Sequence, residues 1–254
     1  MYADDKQKKA IAVSRLPSDL AESRSKKTDV HDLIKKDIIE GRWRPGTKLS
    51  ISDMRKDYDV SLSPLREALS RLAATGFITS ERQRGFRISD VSQAGLKDLN
   101  NVRTKLECWA ICDAIDNSDK NWESDVIAAY HRLARTPYEC NEQIGRVSAE
   151  WNRCHKEFHS ALVSACKSTW LMRFRDILFD EMERYRNLSL EYTTKRREST
   201  RKGGNRTASF EDEHQMMVQA ILDGDKENAC ALITQHFQNT YEIVQSILDS
   251  DFDM

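Results

Sequence analysis

Proline and glycine are scarce in this chain, with four and nine among 254 residues, and most of them cluster near residues 41–46, 76–95 and 203–204. Long stretches without either residue exclude a turn-rich β-sandwich and a proline-rich linker, and they favour helix. Long apolar runs are missing too. Nothing approaches the roughly 20 consecutive apolar residues that a membrane helix needs, and "MYADDKQKKA" at the start lacks the apolar core of a signal peptide. A cytoplasmic protein without a membrane partner is expected. The six cysteines (108, 112, 140, 154, 166 and 230) show no close-spaced knuckle pairs. That spacing argues against a zinc ribbon or a disulfide scaffold, and for reduced thiols. Hydrophobic residues at 39% and charged residues at 32% are the balance of a folded, helix-rich chain rather than a disordered one.

Excess charge of either sign is absent overall, since the net is −1. The balance is uneven along the chain, however. Residues 1–92 carry 19 Lys+Arg against 14 Asp+Glu, and residues 93–254 carry 21 against 27. A basic front and an acidic rear fit a polyanion partner for the front, although solvated surface charge would look the same.

The chain divides into an arm (1–27), a front domain (28–92) and a rear domain (93–250). In "VHDLIKKDIIEG", Val30, Leu33, Ile34 and Ile38 fall at helical spacing from Asp29 to a stop at Gly41. The Pro-Gly turn of "RWRPGTKLS" leads to a short helix capped by Ser50 or Ser52. A third helix, "SPLREALSRLAATG", is expected to start with Ser63 as its cap and Pro64 at its first position. Leu65, Leu69 and Leu72 form its stripe, and Gly76 closes it. "FITSERQRGFRISDV" then changes to the pattern of a β-hairpin. Helix, short helix, break, helix and hairpin make a winged helix-turn-helix, whose third helix can enter a major groove. Arg66 and Arg71 lie on that helix, and Arg82, Arg84 and Arg87 decorate the wing. Arginine suits these places because its fork matches guanine edges and phosphates.

The string "GRWRPGTKLS…YDVSLSPLREALSRLAATGFI…RQRGFRI" resembles the DNA-binding domain of the GntR family of bacterial transcription regulators. It holds the PG-x-x-L turn, the V-S-x-x-P-x-R-E-A-L helix and the R-G-F wing, in order over about sixty residues. Leu62 departs from the pattern, since many relatives carry arginine there. The resemblance implies double-stranded operator DNA as partner, a homodimer, and contacts from Ser61, Ser63, Arg66, Arg71, Arg84 and Gly85.

Behind this head the pattern is wholly helical. Leu99, Val102, Leu106, Trp109/Ala110 and Asp113/Ala114 mark the stripe of a first helix, and further helices are expected over 121–135, 141–167, 168–193, 210–223 and 225–250. Asp223-Gly224-Asp225 reads as a sharp joint with Asp225 as cap. Residues 194–209 carry six positive charges and read as a loop, either solvated or touching DNA. A bundle of about six helices in this position is similar to the FCD effector domain of the FadR subfamily. "VRTKLE", "HKEFHSAL" and "EDEHQMMVQAILDGDKENACALITQHF" carry the resemblance. The family's metal-binding members use one aspartate and three histidines. Carried over, these positions are His155 (in place of the aspartate), His159, His214 and His236.

Imidazole in place of carboxylate favours a transition metal such as zinc or nickel over magnesium or calcium. Arg103 would point into the same cavity, and Asn152, one turn before His155, would hold a metal-bound water or the effector. Arg184 and Arg186 are further candidates, exposed or in the site. A metal on one wall and a guanidinium on the other suit a small carboxylate effector. A likeness to glutarate-responsive repressors of the subfamily points to a short dicarboxylate such as glutarate. The alternative reading is a metal-dependent hydrolase built on the His155/His159 helix. Zincins need H-E-x-x-H and inverted zincins H-x-x-E-H. Here Lys156 and Phe158 occupy the two glutamate positions, so sensing is expected rather than catalysis.

Overall fold

Asp29 opens the first helix by accepting the N–H of His31, and α1 (Val30–Ile39) runs from there towards Gly41, whose φ of 74° turns the chain away. The computed structural model describes residues 29–81, 85–138, 140–141, 146–197 and 207–252. The expected arm, Arg82 and Arg84 of the wing, and residues 198–206 lie outside the described residues.

After β1 (Lys48–Leu49), Ser50 caps α2 (Ile51–Asp57) by accepting the N–H of Asp53. The turn to the next helix passes through Asp59 at φ 49°, a left-handed conformation that aspartate tolerates. α3 (Leu62–Ala74) has Ser61 rather than Ser63 at its N-cap position, without a side-chain capping bond, so it begins two residues earlier than the sequence predicts. Pro64 is then the third helical residue. It is still within the first turn, where backbone N–H groups have no partner inside the helix. β2 (Ile78–Glu81) and β3 (Gly85–Ile88) form the wing, and β1 joins them in an antiparallel sheet of order β1-β3-β2. Ile78 stands opposite Ile88, and together with Phe77 they close a core with Ile34 and Ile38 of α1 and Leu65, Leu69 and Leu72 of α3.

The rear unit comprises α4 (Gln93–Asp116), α5 (Lys120–Arg135), α6 (Ala149–Leu162), α7 (Thr169–Arg197), α8 (Thr207–Leu222) and α9 (Lys226–Phe252). Side chains of Ser92, Asp119 and Ser148 cap α4, α5 and α6, and Asp225 caps α9 just after Gly224 turns at φ 70°. The expected helix over 141–167 is shorter at its front. A small hairpin, β4 (Cys140–Asn141) with β5 (Arg146–Val147), precedes α6. The expected loop over 194–209 is also narrower, because α7 continues to Arg197 and α8 begins at Thr207. No described helix is long and apolar enough to cross a membrane.

α4 corrects the predicted stripe by about one position. Val102 is 41% and Trp109 62% exposed, and the buried face is Leu96, Asn100, Arg103, Glu107, Ala110, Ile111 and Ala114. Three of those seven are polar. They contribute nothing to an apolar periodicity, so the sequence pattern settles on the neighbouring face.

α7 joins the two units. Lys35 of α1 pairs with Asp180 at 2.5 Å, Asn187 donates to the carbonyl of Ile39 at 2.9 Å, and Arg184 donates to the carbonyl of Ser89. Tyr185 accepts the N–H of Ser92 at the start of α4. Gly95 permits that approach, since a Cβ there would sit 2.9 Å from the Tyr185 hydroxyl.

Candidate metal centre and nucleic-acid interface

The 3.6-residue period places His155 and His159 one turn apart on the buried side of α6, beside Phe158 and Leu162. α8 brings His214 to them, and α9 brings His236. All four rings are buried, and their candidate ligand nitrogens lie within 4.8 Å of one another. The Nε2 atoms of His155 and His159 are 3.2 Å apart. Two adjacent imidazoles bound at about 2.0–2.1 Å to one tetrahedral or octahedral ion would stand roughly 2.8–3.4 Å apart.

Electrostatics keeps these rings neutral. Burial holds His155, His159 and His214 well below the ordinary histidine range, reinforced by the neighbouring imidazoles and, at His155, by Arg186. Neutral rings have lone pairs to offer. Nδ1 of His236 donates to Oε2 of Glu213 at 2.8 Å, the tautomer that leaves Nε2 unprotonated on the other edge of the ring. Glu213 is fixed in turn by Asn239 at 2.7 Å, and the His236 hydrogen bond holds its carboxyl below the usual glutamate range. Nδ1 of His159 and Nε2 of His214 are buried with no hydrogen-bond partner. Leaving such a group unsatisfied costs about 1–3 kcal/mol, and at His214 an ion on Nε2 would remove that cost. Nitrogen-only donors within ligation distance therefore fit a divalent transition metal.

His155 is the odd member. It stacks on Trp151 with centroids 4.6 Å apart, and Arg186 approaches its Nδ1 at 3.4 Å. A neutral ring that accepts from Arg186 at Nδ1 carries its proton on Nε2. Ligation through Nε2 requires the opposite tautomer. His155 can serve the arginine or an ion, but not both in these positions.

A cationic wall faces the histidines. Arg103 is 7% exposed, its guanidinium lies 3.5 Å from the ring centroid of Phe237, and its Nη1 has no partner. Burial brings it down to about 10, so it stays charged at neutral pH. Arg186 donates to Oδ1 of Asn152 at 2.8 Å and to Glu183 at 2.6 Å, while its Nε is unpartnered. Oδ1 of Asn100 is another buried atom without a partner. Sequence reasoning placed Arg103 and Asn152 near the histidines, and the structure brings them there. Arg184 and Arg186 are largely buried, with side chains 3% and 14% exposed. Reasoning from sequence missed the buried pair beneath the site. Arg175 binds Glu107 at 2.9 and 3.0 Å and the carbonyl of His159 at 2.8 Å, tying α7 to α4 and α6. The only available signal was an arginine inside the apolar run "LMRFRDILF".

On the head, Ser61, Ser63 and Arg66 are exposed at the start of α3. Arg71 is exposed as well, but its guanidinium is held by Asp29 at 2.7 Å, drawn back over the N-terminus of α1. Gly85 opens β3 at φ 92° with open space around it. Arg84 lies outside the described residues, and Arg87 donates to the carbonyl of Gly46. An open groove lined by Ser52, Arg55, Lys56, Asp59, Val60 and Ser61 runs along the same face. Arg55 and Lys56 are cationic candidates that sequence reasoning did not select.

Comparison with known proteins bears on both sites. Residues 98–239 match the FCD domain, and residues 26–88 match the bacterial regulatory proteins of the gntR family. The chain is 33% identical over 230 residues to the HTH-type transcriptional regulator BphR of Paraburkholderia xenovorans (strain LB400), covering 90% of this chain and 89% of that one. It is 32% identical over 220 residues to the HTH-type transcriptional repressor GlaR of Escherichia coli (strain K12), covering 87% and 96%. Among solved structures, E. coli McbR/YncC shares the fold with a TM-score of 0.64 at 19% identity, covering 85% of this chain and 94% of that chain.

Proposed function

This chain belongs to the GntR family of bacterial regulatory proteins, carries an FCD domain and is a DNA-binding transcription regulator rather than an enzyme; from that premise we propose that it is a repressor released from its operator by a small carboxylate bound beside a transition metal in the bundle. The head over 28–92 reads DNA and the bundle over 93–250 holds the effector. One observation carries the reading. Four buried histidines stand together beside the guanidiniums of Arg103 and Arg186, and both kinds of group leave buried polar atoms unpartnered.

His159, His214 and His236 would hold the metal, with His155 completing the set when Arg186 turns away from its Nδ1. A bound divalent ion supplies a Lewis-acidic anchor for a carboxylate oxygen. Arg103 and Arg186 bind the anion by charge-assisted hydrogen bonds, and a second carboxylate on a short dicarboxylate such as glutarate would engage the guanidinium farther from the ion. Asn152 orients Arg186.

Coupling to the head has a physical route. Asp180 is shared between Lys35 of the head, at 2.5 Å, and Lys156 of α6, at 2.8 Å. Lys156 follows His155 directly, so a shift of α6 on ligand binding changes the hold on the head. The effector acts through its different affinity for the two poses. In a homodimer, two copies of α3 would enter successive major grooves of a near-palindromic site, with Ser61, Ser63 and Arg66 at the DNA. The same Lys156 stands where a zincin needs its glutamate base, which removes support for the hydrolase reading.

Purified protein should carry close to one transition metal per chain by elemental analysis, and His159→Ala with His214→Ala should carry none. In a thermal-shift panel of organic acids, a short dicarboxylate should raise the Tm and release operator DNA. Metal-free wild type from chelator-free buffers would remove the metal, and an unresponsive panel would remove the carboxylate.

A further inference from the structure

Away from the histidines, three thiols meet where α4 packs against α9. Cys108 and Cys112 are one turn apart on α4, and Cys230 faces them from α9. The sulfurs of Cys112 and Cys230 are 3.6 Å apart. Cys108 and Cys230 exchange S–H···O=C bonds, each thiol donating to the other's carbonyl at 3.7 Å. Thr234 lies 3.8 Å from the Cys108 sulfur. All three cysteines are half-buried, whereas Cys154 is buried. A disulfide needs its sulfurs about 2.05 Å apart, so closing a pair requires its side chains to rotate.

We propose that Cys108, Cys112 and Cys230 form a thiol-oxidation site, in which a hydroperoxide oxidises Cys108 and Cys230 closes a reversible disulfide that staples α4 to α9. The Cys108 thiolate attacks one peroxide oxygen. The O–O bond breaks, and the leaving alkoxide or hydroxide takes up a proton as alcohol or water, giving Cys108 sulfenic acid. The Cys230 sulfur then attacks the Cys108 sulfur. The S–O bond breaks, and the departing hydroxide combines with the Cys230 proton as water. Two thiols are oxidised by two electrons and the peroxide is reduced by two. Cys112 is placed to attack the Cys230 sulfur afterwards, moving the bridge and freeing Cys108.

The local chemistry favours Cys108 as the thiol that meets the peroxide first. The neighbouring Cys230 side chain lowers the Cys108 thiol below its ordinary range, against the opposing influence of burial and of Glu107, whereas Cys230 is pushed up by the same partnership. A half-buried thiol whose pKa is lowered is the kind that peroxides attack. The bridge would tie together the two helices that carry Arg103 and His236, five and six residues from the thiols. It is nonetheless a covalent property of the chain, and it stands whether or not a metal or a carboxylate binds.

The test treats the full-length protein with one equivalent of hydrogen peroxide and maps it by mass spectrometry without reduction. A cross-link between the 108/112 and 230 peptides should appear, and dithiothreitol should remove it. Cys112→Ser should retain a 108–230 bridge. Cys108→Ser should slow cross-linking at least ten-fold. Cys230→Ser should leave a Cys108 sulfenic acid that dimedone traps. The proposal is overturned if Cys108 proceeds to sulfinic acid without a bridge in wild type, if the bridges join two chains, or if Cys108→Ser cross-links as fast as wild type.

Discussion

The head and the bundle use their interiors differently. Among the described residues, the head buries only apolar side chains, from Ile34 through Leu69 to Ile88, and it carries its candidate DNA contacts on the outside. The bundle buries Asn100, Arg103, Glu107, Arg175, Asp180, Arg184 and four histidines. A protein that reads a large, flat polyanion can keep chemistry and core apart. One that must enclose a small ion or anion has to bring its chemistry inside, where each polar group needs a partner. The bundle manages this with an apolar layer around Phe158 and Phe237 beside the polar space, and with the Arg175–Glu107 clamp beneath it.

That contrast can be broken or sharpened by matched substitutions. The largest effect is expected from Glu107→Leu, which strands the Arg175 guanidinium in a site where both side chains are 3% exposed. Chemical denaturation should show a loss of about 3–5 kcal/mol, most of it recovered in Glu107→Leu with Arg175→Met. Failure of the double variant to recover would mean that the clamp does more than offset its own burial. In the head, Leu69→Ala removes only packing and should cost about 3 kcal/mol with no second-site polar rescue. Arg66→Ala should leave stability unchanged and weaken operator binding by about 1–3 kcal/mol per contact, read by fluorescence anisotropy. A wild-type isotherm would move DNA reading off the front of α3. The smallest effect is expected at Arg71→Ala. Its pair with Asp29 is open to solvent, so the melting curve should not move, and operator affinity should change less than in Arg66→Ala.

The same division explains what the sequence could disclose. In the head, apolar period, turn residues and caps agree, and the helix-helix-helix-wing order was legible down to Leu65, Leu69 and Leu72. Its one slip, Ser63 for Ser61 as the cap of α3, came from two serines flanking Leu62, both with suitable chemistry. In the bundle, the spacing of His155 and His159 puts them on one helix face, but their union with His214 and His236 was legible only through family resemblance, since His155 and His214 are 59 residues apart. Periodicity failed on α4 because Asn100, Arg103 and Glu107 occupy its buried face. Arg175 was invisible for the same reason, since a buried arginine looks like an exposed one until its partner is known.

The contacts that α7 makes with the head also limit how such regulators could be recombined. Lys35, the carbonyl of Ile39 and the carbonyl of Ser89 each rely on a different residue of one bundle helix. A chimaera that grafts this head onto a foreign bundle would leave those three groups without their counterparts unless positions 180, 184 and 187 travelled with it. Swapping specificity here means transplanting a seam as well as a module.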